Sequence, residues 1–152
     1  MLELWGYQDK NTASPTARFF YRNIVSGNAI FWTLDYDGEL IGELYAFFNL
    51  KDKDFADGED VAYLCAFRVK KEYRRQGLGS RLMNAVLTEL KKAGFRSVTI
   101  GVSSDEPLNI ELYRRFGFSA KIKDCYYDPC GMDDNGQPEY DEAGWWLLSK
   151  SL

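Results

Sequence analysis

The residues best suited to chemistry form a basic, glycine-punctuated segment, VKKEYRRQGLGS, from Val69 to Ser80, directly after the apolar run Val61–Phe67. Gly77 and Gly79 reach backbone angles closed to other residues and put no Cβ between their N–H groups and a ligand. The amides that follow open a helix, whose first N–H groups lack internal partners and whose dipole is positive there. Such a turn can hold a phosphate or pyrophosphate. Arg74 and Arg75 could each fork onto phosphate oxygens. A tight strand-to-helix connection with solvated arginines is the plain alternative.

Two phosphate-binding patterns are absent. A P-loop requires G-x-x-x-x-G-K-[ST], and no Lys-Ser or Lys-Thr follows Gly79. The dinucleotide fingerprint requires a third glycine that the chain does not supply.

Further along stands Tyr113, within LYRRFGF at 112–118. A phenol with an ordinary pKa near 10 keeps its proton at neutral pH and can offer it to a basic leaving group. Leu108, Leu112 and Phe116 lie on a neighbouring helical stripe, so packing alone could also account for this tyrosine. A third feature is the stretch from Asp124 to Glu142, with seven carboxylates and no lysine or arginine. The carboxylates are Asp124, Asp128, Asp133, Asp134, Glu139, Asp141 and Glu142, with Tyr126, Tyr127, Tyr140, Trp145 and Trp146 in or beside the stretch. Read as a loop between the last two strands, it could attract a cationic amine. It equally fits a solvated acidic loop, one able to support a homodimer contact.

The string R-x-x-G-x-G from Arg74 to Gly79, preceded by Phe67-Arg68-Val69, resembles the acyl-CoA pyrophosphate loop of the GNAT superfamily of N-acetyltransferases. The LYRRFGF string is similar to that family's L-Y-x-K-x-G-F signature, and the resemblance runs from about Val61 to Phe118. It implies an α/β fold: one central, twisted, mixed but mostly antiparallel sheet of about six or seven strands, with helices on both faces. The fourth and fifth strands, Val61–Val69 and Ser97–Val102, would splay apart beside a bulge. Acetyl-CoA would be the co-substrate, held by Phe67, Arg68, Val69, Arg74, Arg75, Gln76, Gly77, Leu78, Gly79, Ser80, Asn109 and Tyr113. The backbone of Phe67 and Val69 would pair with the pantetheine arm, in the manner of a strand addition. Tyr113 would be the general acid at the thioester sulfur.

The chain departs from the family pattern where an asparagine often precedes the tyrosine by seven positions; Glu106 stands there, and Asn109 lies one helical turn from Tyr113. Tyr63 occupies the position at which some members carry a basic glutamate. Glu43, Glu59 and Asp60 remain as candidate bases for an amine that attacks acetyl-CoA directly. The implied activity is acetylation of a primary amine on a small cationic molecule or peptide. A non-catalytic acyl-CoA-binding or sensing module, and more distantly a nucleotide-phosphate protein, stay open.

The elements that must position these groups can be read from pattern. Leu2–Tyr7 reads as a first strand. Ser14-Pro15 and Gly27 bound a helix over Pro15–Ser26 with Phe19, Phe20, Ile24 and Val25 as its apolar stripe. Ala29–Asp35 and Glu39–Phe48 form a hairpin about Tyr36-Asp37-Gly38, and 51–58 is a polar loop. A helix over Gly77–Ala93 carries Leu82, Met83, Val86, Leu87 and Leu90 at helical spacing. Strand Ser97–Val102, helix Pro107–Phe116, strand Phe118–Tyr126 and strand Trp145–Ser149 complete the order.

At 152 residues the chain reads as a single domain, 1–152. An apolar content of 45% argues against disorder, and a net charge of −4 against a broad nucleic-acid footprint. No apolar run is long enough for a bilayer span. The three cysteines, Cys65, Cys125 and Cys130, and the absence of a signal-like start suggest a reduced, cytoplasmic setting. With no histidine in the chain, no metal is expected.

Overall fold

The computed structural model describes residues 12–152. The strand expected at Leu2–Tyr7 lies outside the described residues. The described elements are α1 (Pro15–Val25), β1 (Ala29–Tyr36), β2 (Glu39–Phe47), β3 (Val61–Val69), α2 (Leu78–Lys92), β4 (Ser97–Ser103), α3 (Pro107–Arg115), β5 (Ala120–Met132) and β6 (Pro138–Ser151). A short 3₁₀ turn at Lys71–Tyr73 leads from β3 toward α2. The strands form one sheet in the order β1-β2-β3-β4-β6-β5, antiparallel except where β3 meets β4.

Local chemistry sets the ends of these elements. Ser14 caps α1 by accepting from the Ala17 N–H at 3.1 Å, and Pro15 follows with a backbone angle already suited to a helix. Asp37 and Gly38 both take positive φ, 50° and 79°, which gives the two-residue hairpin turn whose twist matches its strands. On one face of the sheet, Leu82, Met83, Val86, Leu87 and Leu90 of α2 pack with Leu44, Leu64, Val98 and Ile100. On the other face, Phe20 of α1 meets the rings of Tyr45 and Phe47 edge-on at 4.9 and 5.0 Å.

Two stripes are shifted from their sequence reading. Val25 is 68% exposed, because α1 turns Ala17 and Phe20 inward instead. Leu108 is 85% exposed, while Ile110, Tyr113 and Phe116 make the face of α3 that packs on the core.

The acidic stretch is a strand hairpin and not a loop. β5 and β6 pair almost to the tip, where Asp133 closes a turn by accepting the N–H groups of Asn135 and Gln137 at 2.8 and 2.9 Å. Pro129 and Gly131 hide this in the sequence, since they sit in an irregular part of the ladder. The Asp128 side chain accepts from the Cys130 N–H at 2.9 Å there. The hairpin is moored at both ends. Lys123 pairs with Asp52 and Asp54 at 2.6 and 2.8 Å, and Met132 exchanges hydrogen bonds with the Thr16 hydroxyl on α1.

Candidate active site

The site begins where β3 and β4 part. They pair in parallel only as far as Leu64 and Ile100, although both strands continue beyond that point. The cause is a bulge in β3, seen as a register shift against β2 between Glu43 and Tyr45. Ala66 there takes φ of 51°. Cys65 and Ala66 then lie on the α1 side of the sheet and Phe67 on the α2 side. The resulting gap joins the two faces of the sheet.

The glycine loop stands at the far end of β3. Arg75 and Gly77 take positive φ, 62° and 76°, and Gly77 caps α2 without any side-chain hydrogen bond. The first turn of α2 therefore offers backbone N–H groups and the positive dipole end to an incoming anion. Gly79 has a packing role as well: a Cβ there would meet the Phe67 ring at 3.2 Å and Val69 at 3.6 Å. Its absence lets α2 lie close on β3. The Arg74 Nε donates to the Val69 carbonyl at 2.7 Å and so occupies one lone pair of the oxygen expected to meet the pantetheine arm.

Three cavities meet around Tyr113. A cleft of about 510 Å³ runs between the loop residues Arg74, Arg75, Gly77, Gly79 and Ser80 and the α3 residues Asn109, Leu112, Tyr113 and Phe116. Phe67, Arg68 and Val69 form its floor. Gln76 and Leu78 line a different cavity, with Trp32 and Arg81. A second cavity, about 430 Å³, occupies the gap in the sheet and is lined by Tyr63, Cys65, Phe67, Gly101, Tyr113, Asp128 and Cys130 among others. A third, about 540 Å³, opens under the β5–β6 hairpin, with Glu106, Asp128, Glu139, Asp141 and Glu142 beside Tyr63, Tyr113, Tyr140 and Trp145. Its lining includes no lysine or arginine. Asp128, Glu139, Asp141 and Glu142 take part in none of the ion pairs among the described residues.

Burial pushes the Tyr113 hydroxyl up to about 12, with the nearby Glu106 carboxylate adding to the effect. The ring packs edge-on against Phe118 at 6.2 Å between centroids. Tyr113 is thus both a packed aromatic and a cavity-lining phenol. Glu106 and Asn109 are joined to each other, Asn109 Nδ2 donating to Glu106 Oε2 at 2.8 Å. Both face the hairpin cavity, and Asn109 also faces the loop cleft.

The three carboxylates suggested as bases are not brought to these cavities. Glu59 and Asp60 precede β3 at its opposite end, roughly 20 Å from Phe67 at the ordinary strand rise. Asp60 there pairs with Arg96 at 3.4 Å. Glu43 is fully buried, accepts from the Tyr45 hydroxyl at 3.0 Å, and lies 3.6 Å from Arg68. Its other oxygen, Oε1, has no hydrogen-bond partner among the described residues.

Burial raises the Glu43 carboxyl above its usual value, against the lowering effects of Tyr45 and Arg68. A raised folded-state pKa means stability that is complete below the unfolded value and is lost as pH rises through the folded one. The melting temperature should therefore fall as pH climbs from about 4.5 through that raised value. In Glu43→Gln, thermal melts across the same range should lose this slope.

Sequence reasoning missed two groups here. Asp128 was visible only as one of many acids, and Tyr63 only as a departure from a family position. No local signal marks either, because their meeting depends on how the hairpin folds back across the gap. Cys65 also lines the gap cavity. Among the described residues, no three cysteines or carboxylates converge as a metal site, and no helix is long and apolar enough to cross a membrane.

A parallel strand pair, β3 and β4, separates at a bulge, is joined by the glycine-capped α2 and is followed by the tyrosine-bearing α3, all on one mixed six-stranded sheet. The chain belongs to the acetyltransferase (GNAT) family, which it matches over residues 2–118. It is 36% identical over 69 residues to the ribosomal protein bS18-alanine N-acetyltransferase of Escherichia coli, covering 45% of this chain and 47% of that one. It is 33% identical over 89 residues to the "Probable spermine N(1)-acetyltransferase" of Bacillus subtilis subsp. natto, covering 56% of each. The chain spans about half the length, or less, of these and other curated relatives it matches. Among solved structures, a GNAT family acetyltransferase from Elizabethkingia anophelis with acetyl-CoA bound shares the fold. Its TM-score is 0.62 at 18% identity, over 87% of this chain and 82% of the other.

Proposed function

We propose that this protein transfers an acetyl group from acetyl-CoA to a primary amine of a small cationic molecule or a peptide, by direct attack of the amine on the thioester. The observation that carries this reading is that Tyr113 lines all three cavities. The residue stands between a cleft that ends on the glycine-capped start of α2 and a cavity walled by carboxylates.

In this reading the pyrophosphate rests on the amides from Gln76 to Ser80, with Arg74 and Arg75 beside it. The thioester lies at the gap, where a β3 amide near Phe67 holds the developing oxyanion. Tyr113 donates to the sulfur. Full transfer from a phenol near 12 to an ordinary thiolate near 8.5 would be uphill by roughly 5 kcal/mol. Tyr113 therefore acts as a hydrogen-bond donor to the departing thiolate more than as its proton source, and the proton that ends on sulfur originates on the attacking nitrogen. The carboxylates Glu106, Glu139, Asp141 and Glu142 draw in a cationic acceptor and balance its charge, aided by Tyr140 and Trp145. The relatives named for spermine and for a protein's alanine support an amine acceptor of either kind.

A thiol-release assay with acetyl-CoA and a panel of polyamines, aminoglycosides and N-terminal peptides tests this. Amine-dependent release is expected for at least one class. CoA binding without release across all of them would favour the non-catalytic acyl-CoA module.

A further inference from the structure

We infer that the Tyr63 hydroxyl holds the attacking nitrogen of the acceptor and that the Asp128 carboxylate takes its proton. This rests on the amine-acetylation reading above and names the residues at its acceptor end. Tyr63 is 5% exposed, and no described residue hydrogen-bonds its hydroxyl. It nonetheless lines both the gap cavity and the hairpin cavity. A buried phenol ordinarily has a partner, so a group of this kind that opens into a cavity is suited to what enters that cavity.

The surroundings fix where the hydroxyl points. A Cβ on Gly101 would lie 3.3 Å from Tyr63 Oη, which places the oxygen over that glycine, one residue past the last position at which β4 pairs with β3. The thioester in the reading above lies at this same gap. Asp128 lines the same two cavities from the hairpin side. Its Oδ1 accepts from the Cys130 N–H at 2.9 Å, and its Oδ2 takes part in no hydrogen bond among the described residues. Burial holds the Tyr63 hydroxyl well above the usual phenol value, with the Asp128 carboxylate among the groups adding to it, so it stays neutral and suits orientation better than proton abstraction.

The step balances as follows. The nitrogen lone pair forms the N–C bond while the carbonyl π pair moves onto oxygen, and an N–H of the now acidic nitrogen passes to Asp128. Return of the oxygen pair re-forms C=O and breaks C–S, and the proton on Asp128 reaches the thiolate. The products are the amide and CoA thiol, with Asp128 again ionised. Tyr63 accepts the other amine N–H and aims the lone pair at the carbonyl carbon.

Because Tyr63→Phe removes a hydroxyl with no described partner, it should leave the melting temperature unchanged or higher. Asp128→Asn keeps an oxygen to accept from Cys130. With spermine or an alanine-terminated peptide as acceptor, whichever the wild type uses, Asp128→Asn should lower kcat by about 10²–10³-fold with little change in amine KM. Tyr63→Phe should raise the amine KM and lower kcat/KM by about 10–100-fold. CoA affinity should be unchanged in both. Wild-type kcat/KM in both variants, beside an active wild type, would overturn this inference alone, as would losses that merely follow a lowered melting temperature or CoA affinity. No turnover by the wild type with any acceptor would overturn the acetylation reading and this inference together.

Discussion

Tyr113→Phe is expected to lower kcat by about 10²–10³-fold, the usual cost of removing one aligned donor from a developing negative charge. The substitution isolates the hydroxyl. The phenylalanine ring keeps the edge-on contact with Phe118, and no described residue hydrogen-bonds the Tyr113 hydroxyl. Stability and CoA affinity should therefore stay close to wild type, with the loss confined to turnover. The pH profile adds a second readout. With the phenol held up to about 12 by burial and Glu106, its ionisation should produce no falling limb below about pH 11. A limb near pH 10 that disappears in Tyr113→Phe would mean the hydroxyl is less buried in the working enzyme than in this structure.

Gly79→Val should abolish measurable CoA binding, a loss of at least about 100-fold, because two requirements meet at that residue. Its backbone belongs to the first turn of α2, and the space where a side chain would go is already filled by Phe67 at 3.2 Å and Val69 at 3.6 Å. A branched side chain must push the start of α2 away from β3 and disturb the floor of the cleft. Overpacking of this kind costs about 1–3 kcal/mol of stability, so the fold should survive while the anion cradle does not. Gly77→Ala is the useful contrast. Nothing lies within 4 Å of a Cβ there, and only the positive φ of 76° opposes it. That variant should lose about 1–2 kcal/mol of stability through backbone strain while leaving the cleft unobstructed. Calorimetric titration with CoA, alongside thermal melts, separates the two.

How much could be read from the chain follows the range of the interactions involved. The apolar run that becomes β3 and the helical spacing of the five buried residues of α2 are local signals, and the structure has both elements where those signals put them. The Asp37-Gly38 turn is equally local. The outer part of the β5–β6 hairpin was not legible, because its irregular ladder places Pro129 and Gly131 within a strand and only pairing with β6 reveals the register. Val25 and Leu108 show the same limit on helices: apolar type gave a stripe, but the packing partner chose which stripe turned inward. At the site, the loop and Tyr113 announced themselves by motif. Tyr63 and Asp128 did not, since one is an aromatic in an apolar strand and the other an acid among acids. Only the separation of β3 from β4 and the fold-back of the hairpin put both on one cavity.

The most direct test of the account is the position of the sulfur in a complex with CoA. The pyrophosphate should lie on the amides from Gln76 to Ser80, with the sulfur within about 3.5 Å of Tyr113 Oη and beside the gap lined by Tyr63 and Asp128. CoA seated in the cavity between Trp32 and Arg81, or a sulfur out of reach of Tyr113, would contradict it.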